Sequence, residues 1–217
     1  MVTVRQAVLD DADAIGSIWL EAFRVGYRGI LPDEAIARRT DEAAETYCRT
    51  VLDDPERASF VVVAEAPGDG IVGFAQAGPC EPEEPGYDQE LWKLYIREAH
   101  HRRGIGRLLM AAMAERLAAR GMASMMLRAF VGNQARGFYE RMGGQFLRTE
   151  PYEILGAQVP CELYGWPDLM LLHGAGAGSA LIPGGSGPSA PGPEPWLRDA
   201  PRDAPRRTPD AGPAPAP

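Results

Sequence analysis

Leu91-Trp92-Lys93-Leu94-Tyr95-Ile96 runs through Arg97-Glu98-Ala99-His100-His101 into Arg102-Arg103-Gly104-Ile105-Gly106-Arg107-Leu108-Leu109. The first six residues read as a strand. Gly104 onward opens a helix in which Leu109, Met113 and Leu117 stack at four-residue spacing. Glycines at 104 and 106 let the backbone approach a ligand closely. The first N–H groups of a helix have no partner inside it, and the helix dipole adds positive potential at that end. Arg102, Arg103 and Arg107 add full charges. A strand, a glycine-bearing turn and a helix N-terminus in this order form an anion site suited to a pyrophosphate.

Three other readings compete for the turn. A Walker loop needs Gly-Lys-Ser/Thr, which is missing here. A Rossmann fingerprint needs a third glycine where Leu109 stands, with an acidic residue about 20 positions on. A plain strand-to-helix turn with solvated arginines is the remaining alternative, and the flanking sequence weighs against it.

Before the turn, Thr3-Val4-Arg5-Gln6-Ala7 reads as a strand and Asp10, Asp11 and Asp13 as caps of a helix. Ile15, Ile18, Trp19, Ala22 and Phe23 share one face of that helix. Pro32 begins a short helical stretch, and 41–52 reads as a third helix. Residues 59–65 and 71–77 make a hairpin around Pro67-Gly68-Asp69-Gly70. Residues 79–90, rich in Pro, Glu and Gly, read as a loop that leads to the strand 91–96. After the central helix, which Gly121 stops, come a strand at 123–130, a helix at 133–142 closed by Gly143-Gly144, and strands at 145–152 and 159–164 around Gly156. The strand–helix–strand unit in the middle makes a parallel connection, and antiparallel hairpins flank it.

The chain has 217 residues, of which 45% are hydrophobic and 24% charged, enough for one α/β (α+β) domain over 1–172. Residues 173–217 are Gly, Ala, Pro and Ser with scattered charge, a composition that does not offset the entropy of ordering, so a disordered tail is expected. Its four arginines and four acidic residues cancel, which leaves the net charge of -8 on the folded part. Such a surface opposes nucleic-acid binding and suits a cationic amine better. Cys48, Cys80 and Cys161 show neither metal-ligand spacing nor a disulfide framework, which points to a reducing compartment and to no metal. No stretch has the length of a membrane span.

The turn, with its neighbours, resembles motif A of the GNAT superfamily of acyl-CoA-dependent N-acetyltransferases, Gln/Arg-x-x-Gly-x-Gly/Ala, with His101 in the first place. Tyr27-Arg28-Gly29-Ile30-Leu31-Pro32 looks like the loop after the family's first helix. Asn133-Gln134-Ala135-Arg136-Gly137-Phe138-Tyr139-Glu140-Arg141-Met142-Gly143-Gly144 is similar to its second signature, and Tyr164-Gly165-Trp166 to the end of its last strand. The resemblance covers about residues 3–170 in the family's order. It implies a mixed, mostly antiparallel central sheet with a splayed parallel pair, flanked by helices.

The same resemblance implies a cytoplasmic acetyltransferase with acetyl-CoA as cosubstrate, transferring acetyl directly to an amine. Arg102, Arg103, Gly104, Ile105, Gly106 and Arg107 would hold the pyrophosphate. Pantetheine would pair with strand backbone along Tyr95 and Ile96, the Ile96 N–H holding the thioester oxygen. Asn133 would face CoA or cap its helix. Tyr139 would be the general acid, with Phe138 filling the core beside it. Glu90, just before the central strand, is the leading base and Asp88 the runner-up; both carboxylates also fit a solvated loop. His100 and His101 read as solvent-facing loop residues. The acceptor pocket is expected from the first helix, Tyr27 to Leu31, and the hairpin near Tyr152 to Val159. A small primary amine is the first choice of acceptor and a protein amine the second. A silent CoA-sensing module and a nucleotide-dependent enzyme are the rival functions, and a homodimer stays open.

Overall fold

The computed structural model describes residues 1–58, 60–80, 83–154 and 157–173. Strands are β1 (Thr3–Gln6), β2 (Val61–Ala66), β3 (Gly70–Gly78), β4 (Gln89–Ile96), β5 (Met125–Phe130), β6 (Gln145–Ile154) and β7 (Ala157–Trp166). Helices are α1 (Ala12–Gly26), α2 (Asp33–Ala37), α3 (Asp41–Asp53), α4 (Pro55–Ala58), α5 (Ile105–Ala118), α6 (Arg136–Arg141) and α7 (Met170–His173). Of the tail expected over 173–217, His173 is instead the last residue of α7; the rest, and the turn at Gly156, lie outside the described residues.

The strands form one sheet in the order β1-β2-β3-β4-β5-β7-β6. Every neighbouring pair is antiparallel except β4 and β5, which are parallel and joined through α5. That pair meets only at Gln89↔Met125 and Glu90↔Met126. Beyond Glu90 the two strands part, so the sheet opens as a V in its middle. The expected mixed sheet with a splayed parallel pair is what the chain forms.

Alternation along the strands divides the core in two. One face packs Val61, Val63, Phe74, Tyr95 and Phe130 under α1 and α3, where Ile15, Ile18, Trp19 and Phe23 point inward. The other packs Val62, Val72, Leu94, Ile96 and Leu127 under α5, whose Leu109, Met113 and Leu117 are fully buried. Leu169 and Leu172 close this second face beside α5. β4 carries a bulge: Gln76 pairs with Lys93 and Ala77 with Leu91, which leaves Trp92 as the extra residue. The Trp92 ring lies over Gly78, where a Cβ would sit 2.1 Å from the ring.

Several boundaries differ from the sequence reading. β4 starts at Gln89, because Gln89 and Glu90 are recruited by β5 despite the loop-like composition before them. Glu90 therefore lies inside the strand. α6 is shorter than 133–142, because Asn133 and the turn around it take up the first free N–H groups. α5 ends at Ala118, three residues ahead of Gly121.

Candidate active site

The turn before α5 combines Arg102 at φ 59° with Gly104 at φ 81°, two left-handed residues in one short stretch. A Cβ on Gly104 would meet nothing within 4 Å, so the backbone angle and not crowding calls for glycine. Gly104, the N-cap of α5, has no side chain to cap it, and the first internal bond runs from Leu108 N–H to Gly104 O at 3.2 Å. The first N–H groups of α5 thus lie at the helix end, outside its internal ladder, where the helix dipole is positive. Arg102 and Arg103 are exposed beside them, and Arg107 is half-buried.

The V supplies a second set of donors. Arg97 N–H donates to Val72 O across β3 at 2.9 Å. Amides alternate along an extended strand, so those of Leu94 and Ile96 face the β5 side, where no strand among the described residues pairs with them. His101 closes this end, its Nε2 lying 2.7 Å from Ile96 O. His100 is 8% exposed and lies 3.6 Å from Asp69. Neither histidine faces solvent as expected: the chain folds both back against β4 and the β2–β3 turn.

Tyr139 is wholly buried on the α5 side of the sheet, and Phe138 is the half-buried one, the reverse of the expected arrangement. Its ring lies 6.2 Å from Tyr164 and 6.4 Å from Trp166 on β7. Trp166 Nε1–H donates to Met142 O at 2.9 Å, and Gly144 packs so closely that a Cβ would lie 2.7 Å from the Trp166 ring. These contacts press α6 onto β7 and turn Tyr139 inward. Its hydroxyl has no hydrogen-bond partner among the described residues. Burial pushes the phenol well above the usual tyrosine range, so it keeps its proton. Asn133 Oδ1 accepts from Ala135 N–H at 2.8 Å, an Asx turn just ahead of α6, whose own N-cap is Ala135.

On the α1 side, Glu90 is 2% exposed and paired with Arg128 Nη1. The Arg128 side chain is fully buried and also meets Glu150 at 3.3 Å and Glu84 at 3.9 Å. Arg148 in turn holds Glu84 and Glu150. Sequence reasoning missed Arg128; its one signal was a charge inside the apolar run Met125-Met126-Leu127-Arg128-Ala129-Phe130. Tyr27, Leu31, Tyr152 and Val159 share one buried cluster with Tyr95 and Phe130, and the Tyr27 and Tyr95 hydroxyls lie 3.3 Å apart. A hollow of about 340 Å³ is lined by Thr149, Glu150, Pro151, Gln158, Val159 and Pro160, all on β6 and β7.

Lys93 is the only lysine in the sequence and is 1% exposed. Its Nζ donates to Gln76 Oε1 at 2.8 Å and Tyr47 Oη at 3.1 Å, and lies 4.3 Å from the Tyr47 ring centroid. Burial pushes the Cys80 thiol up to about 11 and raises Cys161 further, so both stay protonated. Among the described residues no group of His, Cys, Asp or Glu is placed to hold a metal ion, and no helix is long and apolar enough to cross a membrane.

Asp88 is engaged in structure. Its Oδ2 accepts from Ala123 N–H at 2.7 Å, Ser124 N–H at 3.0 Å and Ser124 Oγ at 3.1 Å, tying the start of β4 to the start of β5. The Ala123 N–H foremost, with Ser124, holds this carboxyl below the usual range against a smaller effect of burial. Asp88→Ala is expected to lower stability by about 1 kcal/mol, read as a lower denaturant midpoint. The deficit is full above the unfolded aspartate pKa of about 3.9 and vanishes as pH falls through the lower folded value, where wild type loses the same support.

Residues 14–144, from within α1 to the turn before β6, match the Acetyltransferase (GNAT) family. The chain is 31% identical over 172 residues to an uncharacterized N-acetyltransferase, YuaI, of Bacillus subtilis (strain 168), covering 79% of this chain and 96% of that protein. The fold is similar to that of the PaiA N-acetyltransferase of Thermoplasma acidophilum in complex with coenzyme A, with a TM-score of 0.58, 17% identity, and coverage of 75% and 98% of the two chains. It is also similar to YncA of Salmonella typhimurium, a putative acetyltransferase with its cofactor acetyl-CoA, with a TM-score of 0.58, 18% identity, and coverage of 78% and 94%. The uncapped turn before α5, the parted strands and the family match across both agree, and the chain belongs to the GNAT family, as an acyltransferase.

Proposed function

We propose that the chain transfers the acetyl group of acetyl-CoA to the primary amine of a small molecule in the cytoplasm. The observation that carries this reading is the uncapped N-terminus of α5, with Gly104 at φ 81° beside two exposed arginines. Gly104, Ile105, Gly106 and Arg107 give backbone N–H groups to the pyrophosphate, while Arg102, Arg103 and Arg107 add charge. The Tyr95–Ile96 stretch pairs with pantetheine, and the Ile96 amide, facing the V, donates to the thioester oxygen. Asn133 borders the same ligand. The Thermoplasma and Salmonella proteins, solved with coenzyme A and acetyl-CoA, support the choice of cosubstrate.

Acetyl-CoA supplies the activated carbonyl carbon. The buried, unpartnered Tyr139 hydroxyl fits a donor to the departing sulfur, since it stays protonated. Glu90, within β4, accepts the proton that the amine gives up. Among the described residues, Glu84, Glu90 and Glu150 face Arg128 and Arg148 there, a balance that favours an acceptor arriving as a cation.

The test is thiol release from acetyl-CoA across a panel of polyamines, amino acids and aminoglycosides. Turnover of at least one small amine is expected. Turnover of peptide amines alone would move the acceptor to protein, and tight CoA binding with no acceptor would leave a silent CoA-binding module. Gly104→Ala is expected to raise the KM for acetyl-CoA about tenfold, since forcing a left-handed angle on alanine costs about 1–2 kcal/mol.

A further inference from the structure

We infer that Arg128 is a positioning residue for this reaction: from the closed end of the V it fixes the Glu90 carboxylate where the acceptor amine gives up its proton. The inference rests on the reading of Glu90 as the proton acceptor.

Arg128 stands two residues beyond Met126, the last β5 residue paired with β4. Its guanidinium reaches carboxylates from three separate segments: Glu84 before β4, Glu90 in β4 and Glu150 in β6. A planar group with five donors serves several carboxylates at once, which a lysine ammonium does less well. Arg148 Nη1 and Nη2 hold the Glu84 oxygens at 2.7 and 2.6 Å, and Nη2 lies 2.7 Å from Glu150. If Arg128 is removed, Glu84 and Glu150 keep Arg148, while Glu90 loses the guanidinium bonded to it.

Among the described residues, the other ionisable groups around the cluster, Cys80, Cys161 and Glu162, carry no positive charge. Cys80 and Cys161 stay as neutral thiols. Glu162, on β7, is engaged by Arg136 at 3.2 Å and by the Tyr164 hydroxyl at 2.8 Å. A buried carboxyl that loses its cation is driven towards its neutral form, in which it accepts no proton. A cation beside a carboxylate favours the ionised form, the one that can accept a proton. A carboxylate offers about four lone-pair sites, so it can serve Arg128 and an amine together.

The experiment measures kcat against pH at saturating acetyl-CoA for wild type, Arg128→Gln, Arg128→Lys and Glu90→Gln. In Arg128→Gln the acidic limb should move up by about one pH unit or more, with kcat at neutral pH down about tenfold and recovering as pH rises. The KM for acetyl-CoA should stay within about twofold. Arg128→Lys retains a cation, so its limb should stay near that of wild type. An unmoved limb in Arg128→Gln with a depressed Glu90→Gln overturns the inference alone. Wild-type kcat in Glu90→Gln overturns the reading of Glu90 and the inference with it. If Arg128→Gln does not fold, the wild-type Glu90 carboxyl carbon, assigned in 13C NMR spectra against Glu90→Gln, should remain ionised from about pH 5 to 8; a titration near neutrality overturns the inference.

Discussion

Tyr139→Phe is expected to cut kcat by about a hundredfold or more while the KM for acetyl-CoA stays within about twofold. The substitution removes one oxygen from a ring packed between Phe138, Tyr164 and Trp166. That oxygen has no partner among the described residues, so its loss breaks no internal hydrogen bond. The ring keeps its contacts, and α6 keeps its place through Trp166 and Gly144. A buried hydroxyl without a partner is unfavourable, so the variant should be as stable as wild type or slightly more stable. A chemical defect in an intact fold is the signature of a proton donor. Steady-state kinetics, with thermal melts alongside, separates the cases: equal loss of kcat and cosubstrate affinity would refute the assigned role.

Lys93→Ala should have the largest effect on stability, a loss of about 3 kcal/mol. The deletion empties the space between α1, α3 and the bulged part of β4. It also strips Gln76 Oε1 of a 2.8 Å donor in a place where Gln76 is 4% exposed. Lys93→Met keeps the stem and should cost about 1 kcal/mol, mostly through the stranded Gln76 oxygen. Against a total of about 5–15 kcal/mol, the alanine variant would unfold at a clearly lower denaturant concentration. Equal midpoints for wild type and alanine would show that this buried ammonium contributes nothing.

The glycine-bearing turn before α5 was legible in the sequence because its determinants are local: glycines, arginines and the start of a helical repeat lie within a few residues. The parallel pair and the hairpins followed from element order. The partner of Glu90 was not legible. Arg128 stands 38 positions away, and the contact exists only because β4 and β5 become neighbours. The inward turn of Tyr139 was missed for a related reason. α6 has six residues, too few for periodicity to choose a face, and Trp166 on a distant strand makes the choice. His101 looked like a loop residue, since a bond to the carbonyl of Ile96 leaves no trace in composition. The family resemblance brought the candidate residues together, and geometry added how each one is held.

The sealed position of Lys93 has a chemical consequence. No other lysine occurs along the chain, so no ε-amine is displayed to the reactive thioesters that the protein handles. Stray acylation of its own lysine is blocked by packing for as long as the fold persists.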